Sequence, residues 1–280
     1  MKRTTLIRGA AVVFTAAALS AAVAVSTGAY ASTAPATAKH TSGPKPTIVL
    51  VHGAWADGSS WSGVTDRLEA AGYTVDVFAN PLRGVQSDST VLATFLEHIT
   101  GPIVLAGHSY GGMVITNAAS GNANVKALVY VDAFIPRQGD TVNALTSESP
   151  GSALADQSVI DPITFADKTG ADLYIKQAAF PAIFAGGVPA RTAARLAAGQ
   201  RPLSYSSLTE ASPSVPAWKT ISSWAVIGTG DKLIPPAEQA LMASRAGAKV
   251  VKVKDAPHLS MVSNPDAVTA VIGTAVYATR

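Results

Sequence analysis

The chain has 280 residues, 48% of them hydrophobic and 14% charged, with a formal charge of +3 and no cysteine. That length supports one large domain, or one domain carrying an insertion; without cysteine there is no disulfide framework, thiolate metal site, iron–sulfur cluster or catalytic thiol. Three of the 21 basic residues, Lys2, Arg3 and Arg8, lie in the acid-free first 31 positions, and the other 18 balance 18 acidic residues, so the bulk of the chain lacks the positive footprint of a nucleic-acid binder.

The elements follow in chain order. Lys2, Arg3 and Arg8 form a positive start, Ala10 to Val25 an apolar stretch, and Ala29-Tyr30-Ala31 a small-x-small cleavage signal. The stretch is short and alanine-rich where a spanning helix wants about 20 strongly apolar residues. Residues 1–31 therefore read as a secretory signal peptide cleaved after Ala31, with Ala38 as the alternative. The expectation is a secreted protein with no stable membrane association after cleavage. Residues 32–46 read as a flexible lead-in, and 47–280 as the folded domain.

From Thr47 strand and helix signals alternate, as in a parallel sheet with crossover helices. Strands are predicted at 47–51, 74–78, 102–106, 125–131, 223–227 and 249–253. Helices are predicted from Trp61 to Ala71 and near 89–99, 110–120, 236–246 and 265–278. The rhythm breaks once, between Asp132 and Ser223, where helix-like pieces at 171–180 and 189–199 are interrupted by Gly186-Gly187, Pro189, Pro202, Pro213 and Pro216. A structureless loop of that length is foreign to a compact domain. Residues 137–219 are therefore expected to form a small, mostly helical cap inserted in an α/β frame of about six mostly parallel strands.

The chemistry is expected at Gly107-His108-Ser109-Tyr110-Gly111. A buried strand runs into this G-x-S-x-G and a helical stretch follows, the setting of a nucleophile elbow that lifts Ser109 to the top of the sheet. A serine hydroxyl needs a base. Of five histidines, His40 lies in the lead-in and His98 inside a helix. His108 is pinned beside the nucleophile, and His52 is placed to orient a loop. His258, at the end of the last strand, has the required late position and is the expected base. The acid that orients it is Asp231, in a Gly-rich loop after a strand, with Asp132 as the alternative in the same chain order. The N–H groups of Ala54 and Tyr110 are the expected oxyanion donors.

The blocks VLVHGAWADGSSW, LEAAGY, GHSYGGMV, ALVYVDAFIP, GTGDKLIP and DAPHLSMVSNPDAV together resemble the α/β-hydrolase superfamily. Within it they are similar to the branch of plant methyl esterases, hydroxynitrile lyases and bacterial esterases. The resemblance covers about 47–136 and 220–280. It implies an α/β-hydrolase fold, a Ser109–Asp231–His258 triad with Ala54 and Tyr110 as oxyanion donors, and no cofactor or metal. The lyases of that branch typically place a lysine after the catalytic histidine and a threonine where Gly53 stands; here Leu259 follows His258, which argues for hydrolysis. The expectation is a carboxylic-ester hydrolase acting on a small or aromatic small-molecule ester. A lyase or other non-hydrolytic enzyme on the same triad and a non-catalytic binding protein are the alternatives. Gly53, Trp55, Phe134, Tyr174, Phe180 and Phe184 are the residues proposed to touch substrate, with packing between cap and sheet as their competing role.

Overall fold

A computed structural model of the protein describes residues 44–148 and 150–279. The expected signal peptide and most of the lead-in, including His40, lie outside them. In chain order the frame opens with β1 (Thr47–Val51), α1 (Ser62–Ala70), β2 (Val75–Phe78), α2 (Val85–Glu97), β3 (Ile103–His108), α3 (Gly111–Ala118) and β4 (Val125–Val131). The insertion follows as α4 (Val142–Glu148), β5 (Ile160–Thr164), β6 (Ala171–Ile175), α5 (Phe180–Ile183), α6 (Ala190–Ala198), β7 (Leu203–Ser204) and α7 (Ser206–Thr209). The frame closes with β8 (Ser223–Gly228), α8 (Pro236–Arg245), β9 (Lys249–Val253), α9 (Ser260–Ser263) and α10 (Pro265–Ala278).

Six strands form one parallel sheet in the order β2-β1-β3-β4-β8-β9. The continuous apolar runs of β1 and β3 are explained by their place inside it: Ile48 to Val51 and Ile103 to His108 are buried, as strands covered on both faces must be. β9, KVVKV, is the solvent-facing edge, where lysines discourage pairing with a foreign strand. α1 and α10 pack together, with α10 also against β3, β4 and β8, while α2 packs on α3.

The strand order reverses direction between β1 and β3. In open parallel sheets the crevice beyond the carboxyl ends at such a switch point is where ligands bind. Both loops singled out in the sequence, 52–55 after β1 and 108–111 after β3, emerge there.

The cap departs from expectation. It is a mixed structure rather than a mostly helical one, because 171–175, predicted as helix, is strand β6 in an antiparallel sheet of order β5-β6-β7. Its register pairs Leu173 with Pro162 on one side and Leu203 on the other. The second expected cap helix is present as α6.

Candidate active site

The turn after β3 is forced by close approaches. A Cβ at Gly107 would lie 2.7 Å from the Gly111 carbonyl, and one at Gly111 would lie 2.7 Å from the Val51 carbonyl. Between them Ser109 adopts φ +52, a left-handed conformation that costs a non-glycine residue about 1–3 kcal/mol. The turn is held against β4: the Ser109 N–H donates to Val131 O at 3.2 Å, and the Phe134 N–H donates to Ser109 O at 3.3 Å. The result is a strained, almost enclosed serine at the carboxyl end of the sheet.

His258 lies beyond the end of β9 in a fully buried position. Its Nδ1–H donates to Asp231 Oδ2 at 2.8 Å. A carboxylate can only accept, so the bond fixes the Nδ1–H tautomer and leaves Nε2 as a bare acceptor. That Nε2 is buried and makes no hydrogen bond among the described residues. The Ser109 hydroxyl stands unbonded to it in this structure, and such contacts commonly close only when substrate is bound. Burial pushes the His258 imidazole down, to about 3, so the ring is neutral at neutral pH.

Two carboxylates compete for the role of orienting acid, and their surroundings separate them. Asp231 accepts four hydrogen bonds: from the N–H groups of Leu233 at 2.8 Å and Ile234 at 3.1 Å, from Gln239 Nε2 at 2.7 Å, and from His258. Asp132, at the end of β4 with φ +45, accepts the Gly228 N–H at 2.7 Å and the Ser260 N–H at 3.2 Å. It makes no bond to an imidazole. Burial, and after it the neighbouring Asp231 charge, hold the Asp132 carboxyl well above the usual range. Burial also raises Asp231, but the donors from Leu233, Ile234 and Gln239 oppose it. Burial thus disfavours charge on both carboxyls; of the two, Asp231 is the one with an imidazole partner and three further donors, which favours the charge there.

The remaining histidines have other work. His108 Nε2–H donates to the His258 carbonyl at 2.9 Å, and the two rings sit 4.7 Å apart. The residue before Ser109 thus props the loop that carries His258. His52 Nδ1–H donates to Gly53 O at 3.0 Å, and its Nε2 accepts the Asn80 N–H at 3.1 Å. That arrangement orients the loop after β1. His98 is exposed and bonds the carbonyl of Thr94.

Ala54, Trp55, Ser109, Tyr110 and Phe134 line one narrow apolar cavity with Val142, Leu154, Leu203, Leu208, Leu233 and Ile234. Neither the Ala54 nor the Tyr110 N–H donates to a backbone or side-chain acceptor among the described residues. The Tyr110 hydroxyl is spent on Asp88, at 2.8 Å, and Asp88 also accepts the Arg83 N–H. Gly53 lies against Ser109: a Cβ there would come within 2.6 Å of Ser109 Cβ. Phe184 stacks 5.2 Å from His258 and 4.7 Å from Phe180, and both phenylalanines line a separate chamber of about 450 Å3. Tyr174 stands apart from these cavities. Strand alternation turns it to the face of β6 opposite the buried Leu173, which lines a chamber of about 820 Å3. Among the described residues no group of three histidines or carboxylates could hold a metal ion.

Asn80, Asp88 and Gln239 were not found by sequence reasoning. Each acts across a tertiary contact; only Gln239, in the first turn of the helix after the Asp231 loop, had a positional signal.

Comparison with known proteins fits this geometry. The sequence pattern of the alpha/beta hydrolase family matches residues 48–271. A 111-residue stretch is 36% identical to a carbendazim-hydrolysing esterase of Nocardioides sp. (strain SG-4G), covering 35% of this chain and 46%, about half, of that protein. Among solved structures, polyneuridine aldehyde esterase superposes with a TM-score of 0.70 at 20% identity, covering 82% of this chain and 99% of its own. A pyrethroid hydrolase from Sphingobium faniae JZ-2 superposes with a TM-score of 0.67 at 22% identity, covering 83% and 98%. At such identities the superpositions speak to the fold.

Proposed function

We propose that this chain, which belongs to the alpha/beta hydrolase family, is a secreted serine hydrolase that cleaves carboxylic esters of small or aromatic substrates. The observation that carries the reading is the 2.8 Å bond from His258 Nδ1–H to Asp231, which leaves a bare, buried Nε2 free to act as base for Ser109 on its strained elbow. In this reading Ser109 Oγ attacks the ester carbonyl and His258 Nε2 takes its proton. Asp231 stabilises the imidazolium that forms. The oxyanion is held by the N–H groups of Ala54 and Tyr110. The imidazolium then protonates the departing alcohol, leaving an acyl group on Ser109. A water molecule, deprotonated by the same nitrogen, releases the acid and restores the serine. Export rests on the leader sequence.

Two features favour hydrolysis over cyanohydrin cleavage. Leu259, buried, follows His258, where the lyases that this chain resembles typically carry a lysine. A threonine at position 53 would put its Cβ 2.6 Å from Ser109 Cβ, so the lyase-type residue does not fit beside this serine. The names of the esterase relatives point the same way.

The test is hydrolysis of p-nitrophenyl esters, acetyl to dodecanoyl, by residues 32–280 beside the Ser109→Ala variant. Turnover is expected in the parent and a loss of about 10^4-fold or more in the variant. A folded parent that neither turns over an ester nor reacts with a fluorophosphonate at Ser109 would overturn the proposal.

A further inference from the structure

Trp55 is the residue whose conformation and contacts the chemistry above leaves unexplained. It follows Ala54, a proposed oxyanion donor, and takes φ +56, a backbone state that bulky residues rarely occupy without compensation. Its side chain is buried. Its indole N–H donates to the carbonyl of Leu173 on cap strand β6 at 2.8 Å, across 118 residues of sequence. Its ring stands edge-on to Phe184 at 6.2 Å, and Phe184 in turn packs on His258.

The same residue borders three neighbouring spaces. It lines the narrow cavity holding Ser109, the 820 Å3 chamber under α4 and the cap sheet, and the 450 Å3 chamber beside Phe180 and Leu259. The 820 Å3 chamber and the Ser109 cavity have Trp55, Val142, Leu154 and Leu208 in both their walls. A purely packing tryptophan needs neither a left-handed backbone nor a bond to an inserted segment. A residue that must aim the N–H next to it, and be held there by the cap, needs both.

We propose that Trp55 is a positioning residue: its indole bond to cap strand β6 fixes the loop that carries the Ala54 N–H, so the cap and the oxyanion cradle are set together. This rests on the esterase reading given above. The cap is thereby part of the catalytic apparatus as well as the wall of the substrate chamber. A cap displaced from Leu173 releases the loop, and the oxyanion loses one aimed donor.

The decisive variant replaces Trp55 by benzothienylalanine, an isostere with sulfur in place of the ring N–H; Trp55→Phe accompanies it. Both are compared with the parent and with Ser109→Ala on p-nitrophenyl acetate. Loss of the bond is expected to lower kcat about 10- to 100-fold with KM within about twofold, since complete removal of an oxyanion donor costs about 10^2- to 10^3-fold. Inactivation by a p-nitrophenyl phosphonate, which forms a tetrahedral adduct on the serine, should slow in proportion. An isostere that keeps kcat within threefold, that loses only in KM, or that fails to fold overturns the proposal, the last because the bond would then serve stability. If the parent itself is inactive or Ser109→Ala is not impaired, the esterase reading falls instead.

Discussion

At the scale of single residues, the division of labour between Asp231 and Asp132 is the sharpest result. Both follow strand ends and both precede His258, so chain order admits either. The choice is made by donors: Asp231 has four, one of them an imidazole, whereas Asp132 has two backbone N–H groups from segments flanking the site. Asp231→Asn should therefore lower kcat by about 10^4-fold, because an amide cannot hold the Nδ1–H tautomer with a negative charge. Asp132→Asn should keep kcat within about tenfold and lose about 1–3 kcal/mol of stability, since an amide nitrogen cannot accept the Ser260 N–H. Equal losses of kcat in the two variants would sink this assignment. Sequence made Ser109, Asp231 and His258 visible because a nucleophile elbow and chain order are local or ordinal signals. The shell around them was not visible. Asp88 and Asn80 reach the site through contacts that no spacing encodes, Gln239 had only its place in the first turn of α8 as a signal, and the place of Tyr174 on a strand has no periodicity to announce it.

At the scale of elements, the frame strands and helices fall within a few residues of their predicted spans. Their signals, buried apolar runs alternating with helical spacing, are properties of each segment alone. β6 was the failure. Ala171–Ile175 is a short mixed segment whose strand state depends on pairing with β5 and with the two residues of β7, about thirty positions away. A segment that borrows its structure from distant partners carries little periodicity of its own. The elbow makes the opposite case, a local motif whose geometry is enforced by a neighbouring strand. A methyl added at Gly111 would meet Val51 O at 2.7 Å and His52 O at 3.1 Å. Both carbonyls are fixed backbone, so α3 or the end of β1 must shift. Gly111→Ala should cost about 1–3 kcal/mol in urea unfolding, and should lower kcat by disturbing the Tyr110 and Ala54 donors together. A variant with parent stability and kcat would show that the two loops approach less closely than described.

For the molecule as a whole, the buried imidazoles link catalysis to acid stability. His52, His108 and His258 are all fully buried, and burial pushes each below its ordinary value of 6.5: His52 to about 4, His258 to about 3, His108 well below. The unfolded chain takes up these protons near pH 6.5 while the native state refuses them, so each histidine withdraws stability as pH falls, up to about 2 kcal/mol at pH 5. Asp132 and Asp88, whose carboxyls are raised by burial, act in the opposite sense, because the native state holds their protons more tightly than the unfolded chain does. The total slope mixes the two, and a single-site difference separates them. His52 suits this test because it orients a loop and takes no part in the proposed proton transfers. A glutamine there can still donate to Gly53 O and accept from Asn80, but does not titrate. His52→Gln should be less stable than the parent at pH 7 by about 1–2 kcal/mol, and urea unfolding at pH 5 should find that gap closed by about 2 kcal/mol. The catalytic profile follows from the same physics. With His258 held neutral by burial, the acidic limb of kcat/KM should lie below pH 6.5. Parallel stability curves for parent and variant between pH 7 and pH 5 would mean that His52 accepts a proton in the folded state, and that the loop it orients is open to water.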